Sequence, residues 1–233
     1  MKGTAAFLVF AASLGAASAL AQSSKYSPLS EYMMEPEAEI ALARSAAPEN
    51  VSGHATVKVF TPSGYRVAVQ GDNGFVCLVM RSWGAATFTP SPTPELVYYS
   101  KLRAPICFDP VASRTVLPYK ELQTKLGMEG KDPETISSRV AKAYASGELP
   151  KIEGVSFAYM WSADQNLGPG VGAWHPHMMV YAPYYTNAML GDNKCGEAVP
   201  CILDDQGTPF SVVVIPVHGT EAIKAKSAVA QRQ

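Results

Sequence analysis

The sequence lacks the short motifs that mark the commonest secreted enzymes. It has no Gly-x-Ser-x-Gly nucleophile elbow, no Ser-x-x-Lys pair, no His-Glu-x-x-His zinc motif, no phosphate-binding Gly-Lys-Ser/Thr loop and no Cys-x-x-Cys pair. Catalysis stays open, because catalytic groups also assemble from distant parts of a chain. The sequence alone therefore indicates no particular reaction.

Charge is also scarce. Charged residues make up 17% of the chain, and the formal net charge is -1. Domains that bind nucleic acid carry a clear excess of basic residues on one surface, so no nucleic-acid partner is expected. Beyond the N-terminal segment, no apolar run approaches the roughly 20 residues that a membrane-spanning helix requires. No membrane span is therefore expected either.

Residues 1–21 have the pattern of a secretory signal peptide. A positive charge at Lys2 precedes an apolar run that is too short to span a membrane, and the small residues of Ala19-Leu20-Ala21 follow it. Because signal peptidase accepts such a small-x-small triplet, cleavage is predicted between Ala21 and Gln22. The mature protein is expected in the periplasm or outside the cell.

The rest of the chain has the length of one domain. We predict a flexible leader over residues 22–35, a single α+β domain over residues 36–218 and a mobile C-terminal tail over residues 219–233. The expected fold is a mainly antiparallel sheet packed by two or three helices.

Proline and aspartate positions predict the helices. Pro36 fits the first turn of a helix that runs to Arg44. Two further helices are predicted at Asp109-Pro110 and Asp132-Pro133, because in each case an N-capping aspartate precedes a proline at the first helical position.

Alternating apolar residues predict the strands. The runs 65–70 and 75–81 flank the turn residues 71–74, which favours a hairpin between them. The run 210–217 contains four consecutive β-branched residues, as expected of a strand covered on both faces. It is therefore predicted to be a central strand of the sheet.

The four cysteines are even in number, as expected of a disulfide-bonded protein in an oxidising compartment. Of the three possible pairings, we favour Cys77 with Cys107 and Cys195 with Cys201, because the second pair closes a very short loop that contains glycine and proline. The alternative is that two or more of the four are buried free thiols.

The segment from Trp174 to Tyr181 contains a pair of histidines, His175 and His177. In an extended chain they lie on the same side as Met179 and Tyr181. Two imidazoles in this spacing can bind one metal ion, and copper or zinc fits their chemistry. The alternative is that both histidines are ordinary strand residues without a ligand.

A catalytic zinc site would need a further protein ligand. The candidates are His54, His218, Asp164 and Glu197. A second group of acidic residues, Asp192, Asp204 and Asp205, surrounds the Cys195–Cys201 loop. Paired carboxylates can perform acid–base catalysis, but the neighbouring glycine and asparagine residues favour a role in turns.

Several segments resemble parts of secreted bacterial proteins that have no assigned function. They are GFVCLVMRSW from Gly74, RAPICFDP from Arg103, ASGELP from Ala145 and WHPHMMVY from Trp174. The resemblance implies a single secreted domain and no particular activity.

Two functions remain open from the sequence. The first is an accessory or binding protein whose partner is a small molecule or a protein. The second is a metal-dependent hydrolase or oxidase that uses copper or zinc at His175 and His177. A deep pocket in which several titratable groups converge would count against the accessory or binding protein and in favour of the enzyme.

Overall fold

A computed structural model of the chain describes residues 25–91, 93–152, 154–172, 174–196, 199–217 and 222–226. Within these residues, seven strands form one sheet, with α-helices on its two faces. The predicted α+β class is confirmed. The strands are β1 (Thr56–Thr61), β2 (Gly64–Val69), β3 (Val76–Met80), β4 (Ala104–Phe108), β5 (Ser156–Met160), β6 (His177–Tyr181) and β7 (Val212–Pro216). The α-helices are α1 (Pro36–Arg44), α2 (Glu49–Ser52), α3 (Pro110–Thr115), α4 (Leu117–Met128) and α5 (Pro133–Ala145).

The strand order is β2-β1-β3-β4-β5-β6-β7. Neighbouring strands are antiparallel except β1 and β3, which are parallel. The middle strand is β4, and all five of its residues are buried. None of the helices within the described residues has the length and apolar character needed to cross a membrane.

The predicted hairpin between runs 65–70 and 75–81 is wrong. The hairpin partner of β2 is β1, and β1 lies between β2 and β3. Residues 71–74 do reverse the chain, but they cross the start of β1, where the amide of Asp72 donates to the carbonyl of His54 at 3.0 Å. Gly71 allows this crossing, because a Cβ at that position would clash with the backbone of residues 54–56. The turn chemistry therefore predicted the reversal correctly and the pairing incorrectly.

The prediction that the last strand is central is also wrong, because β7 lies at one end of the described sheet. Its apolar run has a different cause. Val213 and Val214 are both buried although they point to opposite faces. The outer edge of β7 is in turn covered at one point, where Cys201 and Val214 exchange two backbone hydrogen bonds of 3.1 and 2.8 Å.

The three predicted helix starts are confirmed. Pro36 occupies the first turn of α1. The side chain of Asp109 accepts from the amide of Ala112 at 2.7 Å, and that of Asp132 accepts from the amide of Thr135 at 2.7 Å. Each aspartate thus binds an amide that the helix itself leaves without a partner.

Both predicted disulfides are present. Cys77 and Cys107 are directly opposite on β3 and β4, and neither is exposed to solvent. Cys195 and Cys201 close a short loop between β6 and β7. The alternative of buried free thiols is excluded, because these pairs include all four cysteines.

The domain extends beyond the range predicted for it. In the leader, a 3-10 turn over Leu29–Tyr32 buries Tyr32, whose ring stacks on Trp83 with 4.3 Å between centroids. In the tail, Ile223 exchanges backbone hydrogen bonds with Trp161 and Ala163. These parts of the leader and the tail therefore pack on the domain. The predicted signal peptide lies outside the described residues.

A buried ion pair connects α1 to the end of β3. Nη2 of Arg81 lies 2.9 Å from Oε2 of Glu39, and both side chains are fully buried. Nε and Nη1 of Arg81 donate to the carbonyls of Tyr32 and Val79, and Oε1 of Glu39 accepts from the amide of Phe60. Because the charges also have hydrogen-bond partners, the pair meets the conditions under which a buried ion pair is tolerated.

Candidate functional site

A cavity of about 530 Å³ lies on the sheet face opposite α1. Five strands contribute to its floor, and in β6 and β7, which contribute more than one residue each, the contributing residues alternate, as expected when one face of a sheet lines a space. These strand residues are Met80, Ala104, Met160, His177, Met179, Tyr181, Val212 and Val214. The floor is therefore largely apolar.

Loops and α4 form the walls of the cavity. One wall is the loop after β3, with the 3-10 turn over Pro94–Tyr98, and it contributes Leu96. A second is the glycine-rich loop that includes Gly170. Gly168 of this loop has a φ of +110°, which favours glycine, and a Cβ there would also press on the side chain of Leu96, so glycine lets the two walls meet closely.

The loop between β6 and β7, residues 182–211, forms the third wall and is called the β6–β7 loop below. It contributes Cys195, Leu203, Asp204, Asp205 and Phe210. Hydrogen bonds hold its shape: Oδ1 of Asn187 accepts from the amide of Ile202 at 2.8 Å, and Nδ2 donates to the carbonyl of the same residue at 2.9 Å. The Cys195–Cys201 disulfide adds a covalent link. A long loop without strands of its own is thereby given a defined position over the sheet.

Three charged groups of the lining lie close enough to one another to interact, and the part of the cavity that they line is called the polar end below. They are Lys120 of α4 and Asp204 and Asp205 of the β6–β7 loop. Nζ of Lys120 donates to the carbonyl of Gly84 at 3.0 Å and lies 4.7 Å from the centroid of the Tyr119 ring. Within the described residues, no N–O distance of 4.0 Å or less joins Lys120 to either carboxylate.

The two aspartates differ in their hydrogen bonds. Oδ1 of Asp205 accepts from the amide of Thr89 at 2.7 Å and from its hydroxyl at 3.2 Å. These bonds fix Asp205 to the loop after β3, which forms the first wall. The carboxylate of Asp204 accepts no hydrogen bond from any described residue, so it is the acidic group at this end that is open to a ligand.

Burial shifts the pKa values of all three charged groups toward their neutral forms. It lowers the pKa of Lys120 to about 8, against the opposing effect of the charges of Asp205 and Asp204. It raises the pKa of Asp204 and of Asp205, against the charge of Lys120 and, for Asp205, the hydrogen bond from Thr89. A ligand that forms hydrogen bonds with these groups would therefore stabilise their charged forms, because it would replace the water that burial removes.

His177 forms a second polar point of the cavity. It is buried, and its ring lies 4.7 Å from that of Trp174. Nδ1 lies 3.0 Å from the carbonyl oxygen of His175. Because a carbonyl oxygen only accepts, Nδ1 carries the proton, and Nε2 of the neutral ring is left as an acceptor. Burial lowers the pKa of His177 to about 4, so the ring is neutral at pH 7.

The rings of His175 and His177 both lie against that of Trp174, with centroids 4.1 and 4.7 Å from it. His177, Met179 and Tyr181 line the cavity together, as their spacing predicts, but His175 precedes β6 and is exposed. In the part of the chain that the structure describes, no three His, Cys, Asp or Glu side chains gather in a way that would hold a metal ion.

The candidate third ligands have other positions. His54 is exposed, and its Nδ1 lies 3.3 Å from a carboxylate oxygen of Asp72. Oδ2 of Asp164 accepts from the amide of Ala225 at 2.7 Å. His218 and Glu197 lie outside the described residues. The metal site therefore stays a prediction.

Two of the three acidic residues, Asp192 and Asp205, have backbone conformations that are compatible with the predicted role in turns. Asp192 and Asp205 have positive φ values of 56° and 60°, which aspartate tolerates better than most residues. Asp205 lines the cavity, as does Asp204, which has no such backbone conformation. The turn pattern thus gave no sign that Asp204 and Asp205 reach a cavity.

Lys120 is not among the functional residues predicted from the sequence, although its position in α4 could have indicated it. It lies four residues after Val116 and three before Gln123, and both of those are buried. A lysine on the buried side of a helix is unusual, because burial of an ammonium group is costly without a purpose or a partner. That position alone marks Lys120 as a candidate functional residue.

Comparison of the chain with known protein families, with curated proteins and with solved structures gives no match. The function is therefore argued from the cavity itself.

Proposed function

We propose that the protein is an exported binding protein that holds a small, largely apolar molecule in the cavity. The observation that supports this proposal is the cavity of about 530 Å³, whose floor is largely apolar and whose charged lining residues are Lys120, Asp204, Asp205 and the internally paired Arg81. Ligand sites in proteins have this character: they are concave and mostly apolar, of about 300–1,000 Å³, with a few polar groups that orient the ligand.

Export is part of the proposal. It is supported by the predicted signal peptide over residues 1–21 and by two disulfides, which persist in oxidising compartments. The resemblance to secreted bacterial proteins points the same way. Expression of the full chain in a bacterial host, followed by cell fractionation and N-terminal sequencing, tests it. The expected N-terminus is Gln22, and recovery of uncleaved protein from the cytoplasm would contradict export.

A neutral apolar dye tests cavity binding independently of charge. We expect Nile red to bind the purified, oxidised protein saturably with one equivalent and to gain fluorescence. Met179→Trp, which fills the cavity from β6, is expected to weaken binding at least tenfold. The matched control is Met178→Trp, because Met178 neighbours Met179 on the same strand but points to the opposite face.

The dye experiment has a clear contrary outcome. Equal effects of the two tryptophan variants, in proteins with unchanged circular dichroism, would place the dye outside the cavity. Absence of saturable binding in the folded wild-type protein would contradict the proposed function.

The metal-dependent alternative has its own test. If His175 and His177 bind metal, calorimetric titration with Cu(II) or Zn(II) gives about one equivalent, and replacing both by Ala abolishes it. No contact of the described residues favours this alternative. Since His218 and Glu197 are the third ligands whose positions are not described, the His218→Ala and Glu197→Gln variants belong in the same titration.

A further inference from the structure

Among the described residues, the polar end of the cavity contains one cation, Lys120, and two anions, Asp204 and Asp205, and neither anion forms a direct ion pair with the cation. Lys120 and Asp204 both line the cavity, and each affects the pKa of the other. Within the described residues, no ion pair of 4.0 Å or less joins them. They are therefore close enough to interact and too far apart to satisfy each other.

Neither group is satisfied by the rest of the protein. An ammonium group has three donors, and Lys120 uses one of them for the carbonyl of Gly84. The carboxylate of Asp204 accepts from no described residue. Asp205 differs, because two hydrogen bonds from Thr89 already hold it. The groups that remain for a ligand are thus one donor group and one acceptor group of opposite charge.

We propose that the cavity binds a zwitterion with a bulky apolar substituent, the class of the apolar and aromatic α-amino acids. This inference rests on the proposed binding function. The carboxylate of the ligand meets Lys120, its ammonium group meets Asp204, and its apolar part lies among side chains such as Met80, Met160 and Phe210. Charge-assisted hydrogen bonds of this kind are the strongest polar contacts that a protein makes to a small molecule.

Ligands with only one of the two charges fit the polar end less well. An apolar amine leaves Lys120 without an acceptor and places a second cation beside it. A fatty acid places its carboxylate near Asp204 and Asp205. In both cases a desolvated charge in the cavity stays unpaired, which is the costly arrangement.

A matched series of three ligands tests the proposal by calorimetry. Tryptophan, tryptamine and indole-3-propanoate share one apolar group and differ in having both charges, only the ammonium group or only the carboxylate. We expect tryptophan to bind with one equivalent and at least tenfold more tightly than either of the others.

Two variants assign the charges. Lys120→Met is expected to weaken tryptophan and indole-3-propanoate binding at least tenfold and to leave tryptamine binding unchanged or stronger. Asp204→Asn is expected to weaken tryptophan and tryptamine binding and to spare indole-3-propanoate. Nile red binding by both variants, together with circular dichroism, checks that the cavity and the fold are intact.

The outcomes separate this inference from the proposed function. If tryptamine binds as tightly as tryptophan, the site is one for organic cations. If all three ligands bind equally tightly, the charges of the ligand do not contribute to the affinity. Either result would contradict the proposal that the ligand is a zwitterion. So would the absence of tryptophan binding in a protein that still binds Nile red. Loss of Nile red binding as well would overturn the binding function itself.

Discussion

The two faces of the sheet are covered in different ways. On one face, α1 lies directly on β1, β3 and β4, and small side chains at the contact, Ala43, Ala46 and Ala47, leave almost no exposed surface. On the other face, α3 and α4 cover one part of the sheet with α5 packed on α4, and beside them β5, β6 and β7 face the cavity. We call these the closed face and the open face.

The two faces differ in the kind of interaction they contain. The closed face holds the interactions that stabilise the fold, and the open face holds the surface that is suited to binding. The closed face contains the Cys77–Cys107 disulfide, and α1, which covers it, holds Glu39 of the buried ion pair. The open face has irregular loops and charged groups without ion partners. Binding sites are usually found on loops that a rigid scaffold holds in place. We therefore expect changes on the closed face and at the ion pair to alter stability more than binding, and changes on the open face to do the reverse.

The largest loss of stability is expected from Glu39→Gln. The change leaves the charge of Arg81 buried without its counterion, and such losses amount to about 3–5 kcal/mol. Urea denaturation measures the free energy of unfolding. The matched control is Glu148→Gln, which breaks the exposed pair of Glu148 and Arg139 and is expected to change little. Equal effects of the two variants would contradict the assigned importance of the buried pair.

The two disulfides give the next comparison. Cys77 and Cys107 are 30 residues apart in sequence, whereas Cys195 and Cys201 are 6 apart. Because a longer closed loop restricts the unfolded chain more, we expect the Cys77→Ala/Cys107→Ala variant to lose about 3–4 kcal/mol and the Cys195→Ser/Cys201→Ser variant about 2 kcal/mol. We also expect the second variant to release Nile red faster, since Cys195 lines the cavity. A larger loss in the free energy of unfolding for the Cys195→Ser/Cys201→Ser variant would contradict the expectation that the closed face contributes more to stability than the open face.

On the open face, burial of His177 is expected to make the stability of the protein depend on pH. Burial lowers the pKa of this histidine from 6.5 to about 4. Between these values the unfolded chain binds a proton that the folded protein does not bind, so stability falls as the pH falls from 6.5 to about 4. The loss is on the order of 3 kcal/mol. Urea denaturation across this pH range should show a smaller slope in His177→Gln and an unchanged slope in the exposed His54→Gln control.

The smallest effect is expected from Asn187→Ala in the β6–β7 loop. Its two hydrogen bonds to Ile202 are lost, with a cost of about 1–2 kcal/mol. Because the cost is local, hydrogen exchange should become faster in the loop and stay unchanged in β3 and β4. Faster exchange throughout the sheet would show that the loop and the closed face unfold together.

Local chemistry could be predicted from the sequence. The capped helix starts at Asp109 and Asp132 follow from residue type. The Cys195–Cys201 disulfide follows from short spacing, and it leaves Cys77 and Cys107 as the other pair. The face shared by His177, Met179 and Tyr181 follows from strand alternation.

Long-range pairing could not be predicted in the same way. The insertion of β1 between β2 and β3, and the position of β7 at the end of the sheet, depend on which strands meet in space. The cavity depends on the same information, because Lys120 and Asp204 are distant in sequence and meet only after the β6–β7 loop folds back over the sheet. Only the position of Lys120 on the buried side of α4 left a local signal.

The backbone pairing of Cys201 with Val214 has a consequence for self-association. β7 lies at one end of the described sheet, and its sequence Val-Val-Val-Ile is the kind of edge that pairs readily with a strand from another copy. Cys201 occupies one of the positions where such a strand would have to bind. Since the disulfide to Cys195 restrains that residue, the disulfide does more than close a loop. It also helps to keep one copy of the protein from adding to the sheet of the next.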